Sequence, residues 1–147
     1  MKIVLVGHGH FATGIYSSLQ LIAGNQENVE AIDFVEGMSA DELKQKILLA
    51  ISNEEEVLIL SDLLGGSPFK VSSTIMGENP AKTAKTMNVL SGLNLAMLME
   101  AVFARMAHSF DEVVNKSVVA AQGGVVNGKE LFSTDAEEEE EDFESGI

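Results

Sequence analysis

The chain has 147 residues, 46% of them apolar and only 5% aromatic, which supplies an aliphatic core for one domain and leaves two domains cramped. It contains no cysteine, so disulfides, thiolate catalysis and zinc-thiolate sites are excluded. The net charge of −14 is unevenly spread: eight of the 23 acids fall in residues 135–144, leaving 15 acids against 9 bases, a net −6, for residues 1–134. An acidic domain with a charged extension argues against nucleic acid or an anionic membrane as partner.

Residues 2–6, Lys-Ile-Val-Leu-Val, follow Met1 directly and read as a strand rather than a secretion signal. No apolar run approaches the roughly 18–20 residues that span a bilayer, and the expected location is the cytoplasm. Phe11, Ile15, Leu19 and Ile22 recur at helical spacing, which predicts a helix stopping near Gly24. A second strand is expected at Val29–Phe34, and the polar Glu30 and Asp33 within it place it at a sheet edge.

Ser39-Ala40-Asp41-Glu42 is a capping box, opening a helix whose buried stripe is Leu43, Ile47, Ala50 and Ile51. Residues 57–60, Val-Leu-Ile-Leu, are apolar at every position, as a central strand buried on both faces requires. Ser67-Pro68 reads as an N-cap followed by proline at the first helical position. A fourth strand is expected at Thr86–Leu90, and Leu95, Leu98, Met99 and Val102 mark a fourth helix. Ser109-Phe110-Asp111-Glu112 is a second capping box, preceded by His108 as a helix-terminus residue, and Gly123-Gly124 closes the helix it starts. Residues 125–131 have room for a short strand or hairpin around Asn127-Gly128. The boundary is expected at residue 134, with 135–147 an acidic, disordered tail.

Strands alternating with helices make an α/β fold with a mostly parallel sheet between two helical layers. The flavodoxin-like order 2-1-3-4 is a common solution, and it puts strands 1 and 3 side by side with their helices leaving on opposite faces. The crevice at that reversal is the expected ligand site. The loops that meet there are Gly7-His8-Gly9-His10 and Ser61-Asp62-Leu63-Leu64-Gly65-Gly66-Ser67-Pro68.

A neutral imidazole is a competent nucleophile toward phosphorus and a good leaving group afterwards, which suits His8 to carrying phosphate reversibly. Asp62, accepting a hydrogen bond from the other ring nitrogen, would fix the tautomer and favour positive charge on the ring. Gly65, Gly66 and Ser67 would offer backbone N–H groups, a hydroxyl and a helix N-terminus to phosphoryl oxygens, with Gly9, His10 and Leu63 at the rim. No cofactor is required. A competing reading makes His8, His10 and Asp62 the ligands of a non-enzymatic metal- or ligand-binding module.

These residues resemble a known family, the IIA components of mannose-type sugar phosphotransferase systems, which includes mannose, fructose, sorbose and N-acetylgalactosamine systems. His8-Gly9-x-x-Ala12-x-Gly14 is similar to the family's His-Gly-x-x-Ala-x-Gly pattern, whose register selects His8 over His10 as the phosphorylated residue. Asp62-x-x-Gly65-Gly66-Ser67-Pro68 resembles the second family loop, in which the aspartate hydrogen-bonds the active histidine and the serine helps hold the phosphate. The segment from Val29 to Gly37 and the run Ser91-Gly92-Leu93-Asn94 also resemble the corresponding family segments.

The resemblance implies a phosphotransferase domain over residues 1–134 and a phosphohistidine intermediate. Phosphate would come from the histidine-containing phosphocarrier protein and pass to a IIB component on a separate chain, reaching the membrane IIC and IID components indirectly. It also implies a homodimer, with the C-terminal strand at 125–131 exchanged between subunits. The IIA-like donor domain of dihydroxyacetone kinase systems is a further match, though that domain is often fused to other carrier domains. Two positions depart from the pattern: His10 stands where relatives vary, and Lys70 where they often have asparagine.

Overall fold

A computed structural model describes residues 1–78 and 84–133. Four strands, β1 (Lys2–His8), β2 (Val29–Phe34), β3 (Glu56–Ser61) and β4 (Thr86–Leu90), form a parallel sheet of order β2-β1-β3-β4. Among the described residues the strands are connected and covered by α1 (Phe11–Ala23), α2 (Ala40–Ala50), α3 (Ser67–Glu78), α4 (Leu95–Ala104) and α5 (Phe110–Gly123). The α/β class, the strand order and the edge position of β2 are those expected from the residues.

The sheet is buried on both faces because its central strands have no polar alternation. Ile3, Leu5, Leu58 and Leu60 face one layer with Leu19 of α1, Leu98 and Val102 of α4 and Val113 of α5. Val4, Val6, Val57 and Ile59 face the other, with Leu43 and Ile47 of α2 and Ile75 of α3. Helices α1 and α3 therefore leave adjacent strands on opposite faces, and the crevice opens at the carboxyl ends of β1 and β3.

Local chemistry sets the helix starts. Ser39 Oγ accepts the Glu42 N–H at 3.1 Å while the Glu42 carboxylate accepts the Ser39 N–H at 2.7 Å, closing the expected box. At α5 the Glu112 carboxylate accepts from both the N–H and the hydroxyl of Ser109.

Three expectations are corrected. In α1 the buried face is Ala12 and Leu19, with Ile15, Tyr16 and Ala23 packed beside them, whereas Phe11 and Ile22 are exposed. The helix begins so soon after β1 that Phe11 lies over Gly7, where a Cβ would come within 2.8 Å of its ring, instead of entering the core. Helix α3 starts one residue early: the Gly66 carbonyl accepts the Lys70 N–H at 2.9 Å, making Gly66 the N-cap and Ser67 the first helical residue.

The third correction concerns the C-terminal strand. Residues 125–127 have no regular structure and 128–133 are helical. Asn127 acts as a helix cap rather than a hairpin turn, its Oδ1 accepting the Lys129 N–H at 3.2 Å and its carbonyl the Leu131 N–H at 3.1 Å. The expected tail at 135–147 lies outside the described residues.

Candidate active site

Strand β1 runs on past its predicted end, so that His8 is its last residue, paired in register with Phe34 of β2. On the other side β3 ends at Ser61, and Asp62 then donates its N–H to the Val6 carbonyl at 3.2 Å. Two loops distant in sequence are thus pinned together by backbone before any side chain contributes.

The Asp62 carboxylate closes the arrangement. Oδ2 accepts the His8 backbone N–H at 2.8 Å and lies 2.7 Å from His8 Nδ1, and Oδ1 accepts the Leu63 N–H at 2.8 Å. Burial pushes the Asp62 carboxyl up, but the hydrogen bonds from His8 and Leu63, with the charge of the imidazole, outweigh it and hold the group below its ordinary value. Near neutrality Asp62 is therefore ionised and accepts only, so Nδ1 carries the proton of this contact, and in the neutral ring the lone pair falls on Nε2. The Phe34 ring meets the imidazole edge to face, with centroids 5.9 Å apart.

The far side of the ring meets the start of α3. A Cβ on Gly66 would fall 2.7 Å from His8 Cε1 and 3.5 Å from Nε2, so any larger residue would push the imidazole away. Gly65 has φ +77°, the left-handed turn that lets the chain double back into α3.

Gly65, Gly66 and Ser67, the residues expected to cradle phosphate, stand at the start of α3 beside the His8 ring. The Gly66 N–H is taken by the Leu63 carbonyl at 3.2 Å, so it is not free for an anion. The N–H groups of Ser67 and Phe69 are left as first-turn donors, because Pro68 has none and that of Lys70 is bonded to Gly66. At the rim, Gly9 adopts φ +57° to turn the chain into α1, and Leu63 is exposed.

His10 does not join this group. Its Nδ1 lies 3.0 Å from Asp33 Oδ2, and its side chain is 84% exposed against 46% for His8. Asp33 also accepts the Thr13 hydroxyl at 2.6 Å and the Thr13 N–H at 3.0 Å, so β2 caps the first turn of α1. The metal-ligand set of His8, His10 and Asp62 is thereby split between two carboxylates, and among the described residues no cluster of three or more His, Asp or Glu side chains is arranged for a metal ion.

Three participants were not found from the residues alone: Phe34 against the ring, Gly7 beneath Phe11, and the role of Asp33. The signal for Asp33 was present as a charged residue near the end of a strand, at the same end of the sheet as the histidine loop.

A family model described as the PTS system fructose IIA component matches residues 2–118. This chain belongs to the mannose-type IIA family of sugar phosphotransferase systems. The EIIA of Streptococcus agalactiae is similar in structure with a TM-score of 0.81 and 45% identity, over 90% of this chain and 98% of that one. A sorbose-specific EIIA of Lacticaseibacillus casei is 28% identical over 95% of this chain and 99% of its own length. The mannose-specific EIIAB of Escherichia coli K12 is 36% identical over 85% of this chain, which spans only 38% of that relative's length. Membership places the chain among the IIA components of sugar phosphotransferase systems. Among the described residues no helix is long and apolar enough to cross a membrane.

Proposed function

We propose that His8 is the phosphoryl-carrying residue and that Nε2 is the reacting atom. The observation that carries this reading is the division of the ring: Nδ1 is held by Asp62 at 2.7 Å, while Nε2 faces the N-terminus of α3 across Gly66.

In the forward step Nε2 attacks the phosphorus of a phosphohistidine on the histidine-containing phosphocarrier protein. The donor P–N bond breaks as the new P–Nε2 bond forms, and the donor imidazole leaves with its electron pair. The His8 ring, still protonated at Nδ1, gains positive character that ionised Asp62 stabilises. Ser67, through its N–H and hydroxyl, and the Phe69 N–H receive the phosphoryl oxygens at the positive end of α3. The reverse chemistry delivers the group to a IIB component, and through it to the IIC and IID membrane components. Transfer between two imidazoles is nearly balanced, so positioning carries most of the task.

The reading extends to a cytoplasmic homodimer, supported by the exposed Val125, Val126, Leu131 and Phe132 beyond α5.

The test is incubation of the chain with phosphoenolpyruvate, enzyme I and the histidine phosphocarrier, followed by intact-mass measurement. One phosphoryl group is expected, labile in acid and stable in base. His8→Ala should abolish it and His10→Ala should retain it. The reverse pattern would move the chemistry to the second imidazole and end this proposal.

A further inference from the structure

Helix α3 differs in charge from the two helices that open with a capping box. Helices α2 and α5 place two acids each in their first turns, Asp41 and Glu42 and then Asp111 and Glu112, whereas α3 has none and carries Lys70 there. A cation near a helix N-terminus opposes the macrodipole and is unfavourable in the resting protein.

Lys70 has no compensation of the kind the other paired lysines have. Lys2, Lys44 and Lys85 are held by Glu30, Glu78 and Glu55, while Lys70 is exposed and has no ion-pair partner among the described residues. Its backbone N–H donates to the Gly66 carbonyl at 2.9 Å, so it stands one helical turn after the residue that touches the His8 ring. Side chains on a helix lean toward its N-terminus, and residues four apart share a face. A lysine at this position can direct its flexible four-carbon stem over the turn bearing Gly66 and Ser67, toward a group bound to His8 Nε2.

We propose that Lys70 is the charge partner of the phosphorylated state. It is disfavoured where it stands until His8 carries a phosphoryl group, whose negatively charged oxygens are then brought to the same helix end. The lysine thereby biases the carrier toward its loaded form. This inference rests on the assignment of phosphorylation to His8.

The experiment is the equilibrium of phosphoryl exchange between the histidine phosphocarrier and the full chain, comparing wild type, Lys70→Gln and Lys70→Arg. Lys70→Gln should shift the equilibrium toward the phosphocarrier by about two- to fivefold, with the shift shrinking as salt is raised, and Lys70→Arg should restore it. The melting temperature of unphosphorylated Lys70→Gln should equal or exceed that of wild type. An unchanged equilibrium for Lys70→Gln, an Arg variant as impaired as the Gln variant, or a lowered melting temperature of the unphosphorylated Gln variant would overturn the proposal. Failure of this inference alone leaves wild type phosphorylated on His8, whereas failure of the underlying assignment leaves His8 without phosphate.

Discussion

The carboxyl end of β1 carries two imidazole–carboxylate pairs built alike and surrounded differently. His8 Nδ1 lies 2.7 Å from Asp62, and His10 Nδ1 lies 3.0 Å from Asp33. Both carboxyls are also pulled upward by burial, and in both the hydrogen bonds they accept win and hold them below their ordinary value. The difference is across the ring. His8 has Phe34 at its edge and the backbone of Gly66 against Cε1 and Nε2, while His10 is largely in solvent. A carboxylate selects a tautomer in either setting, but only one imidazole has a helix N-terminus opposite its free nitrogen. Under the proposed assignment, the opposite wall, more than the dyad, separates the carrier histidine from the one at the start of α1.

The sharpest way to break that comparison is to remove the wall and keep the dyad. Gly66 has no left-handed φ, so a side chain there costs little in backbone strain and acts mainly through its clash with the His8 ring. Gly66→Val should lower the rate of phosphoryl uptake about a hundredfold, the scale expected for a misplaced reacting atom, with the far-UV circular dichroism unchanged. Uptake at the wild-type rate would show that the α3 end is not part of the site. Removing the dyad's charge and keeping the wall should cost less. Asp62→Asn preserves the shape but no longer dictates which ring nitrogen holds the proton, and the transfer rate should fall about ten- to a hundredfold. Nitrogen NMR of the labelled imidazole checks the cause: wild type should show the Nδ1–H tautomer and the variant a mixture.

How far the residues alone led can be judged from these same elements. The sheet was legible because residues 57–60 are apolar throughout and β2 carries Glu30 and Asp33, patterns that fix a centre and an edge. The meeting of His8 with Asp62 was legible from topology, since order 2-1-3-4 brings those two loops together. Finer matters were not. The stripe Phe11, Ile15, Leu19 and Ile22 has helical period, but period does not fix rotation, and the short β1–α1 turn rotated it onto Ala12 and Leu19. Asn127-Gly128 serves a hairpin or a helix cap equally well, and the sequence holds no local term that decides between them. That the Gly66 N–H would be spent on Leu63 depends on turn geometry that a pair of glycines leaves free.

The smallest expected effect lies at the second pair and reports on stability rather than chemistry. Asp33 accepts two hydrogen bonds from Thr13 at the first turn of α1, so Asp33→Ala should cost about 1 kcal/mol, a fall in melting temperature of about 3–5 °C, with phosphoryl uptake intact. The pH dependence carries a definite sign. The Asp33 carboxyl sits below its ordinary 3.8, because the bonds from Thr13 and His10 outweigh the upward push of burial. Between the lowered native value and the ordinary one the unfolded chain binds more protons than the native chain, so stability falls as pH falls through that window. The difference between wild type and Asp33→Ala should accordingly be full above about pH 5 and shrink as the pH drops below the ordinary value. Urea unfolding at a series of acid pH values reads this directly. A difference independent of pH would mean that Asp33 acts through packing, and a loss of phosphoryl uptake in the same variant would join the two imidazoles into one functional unit.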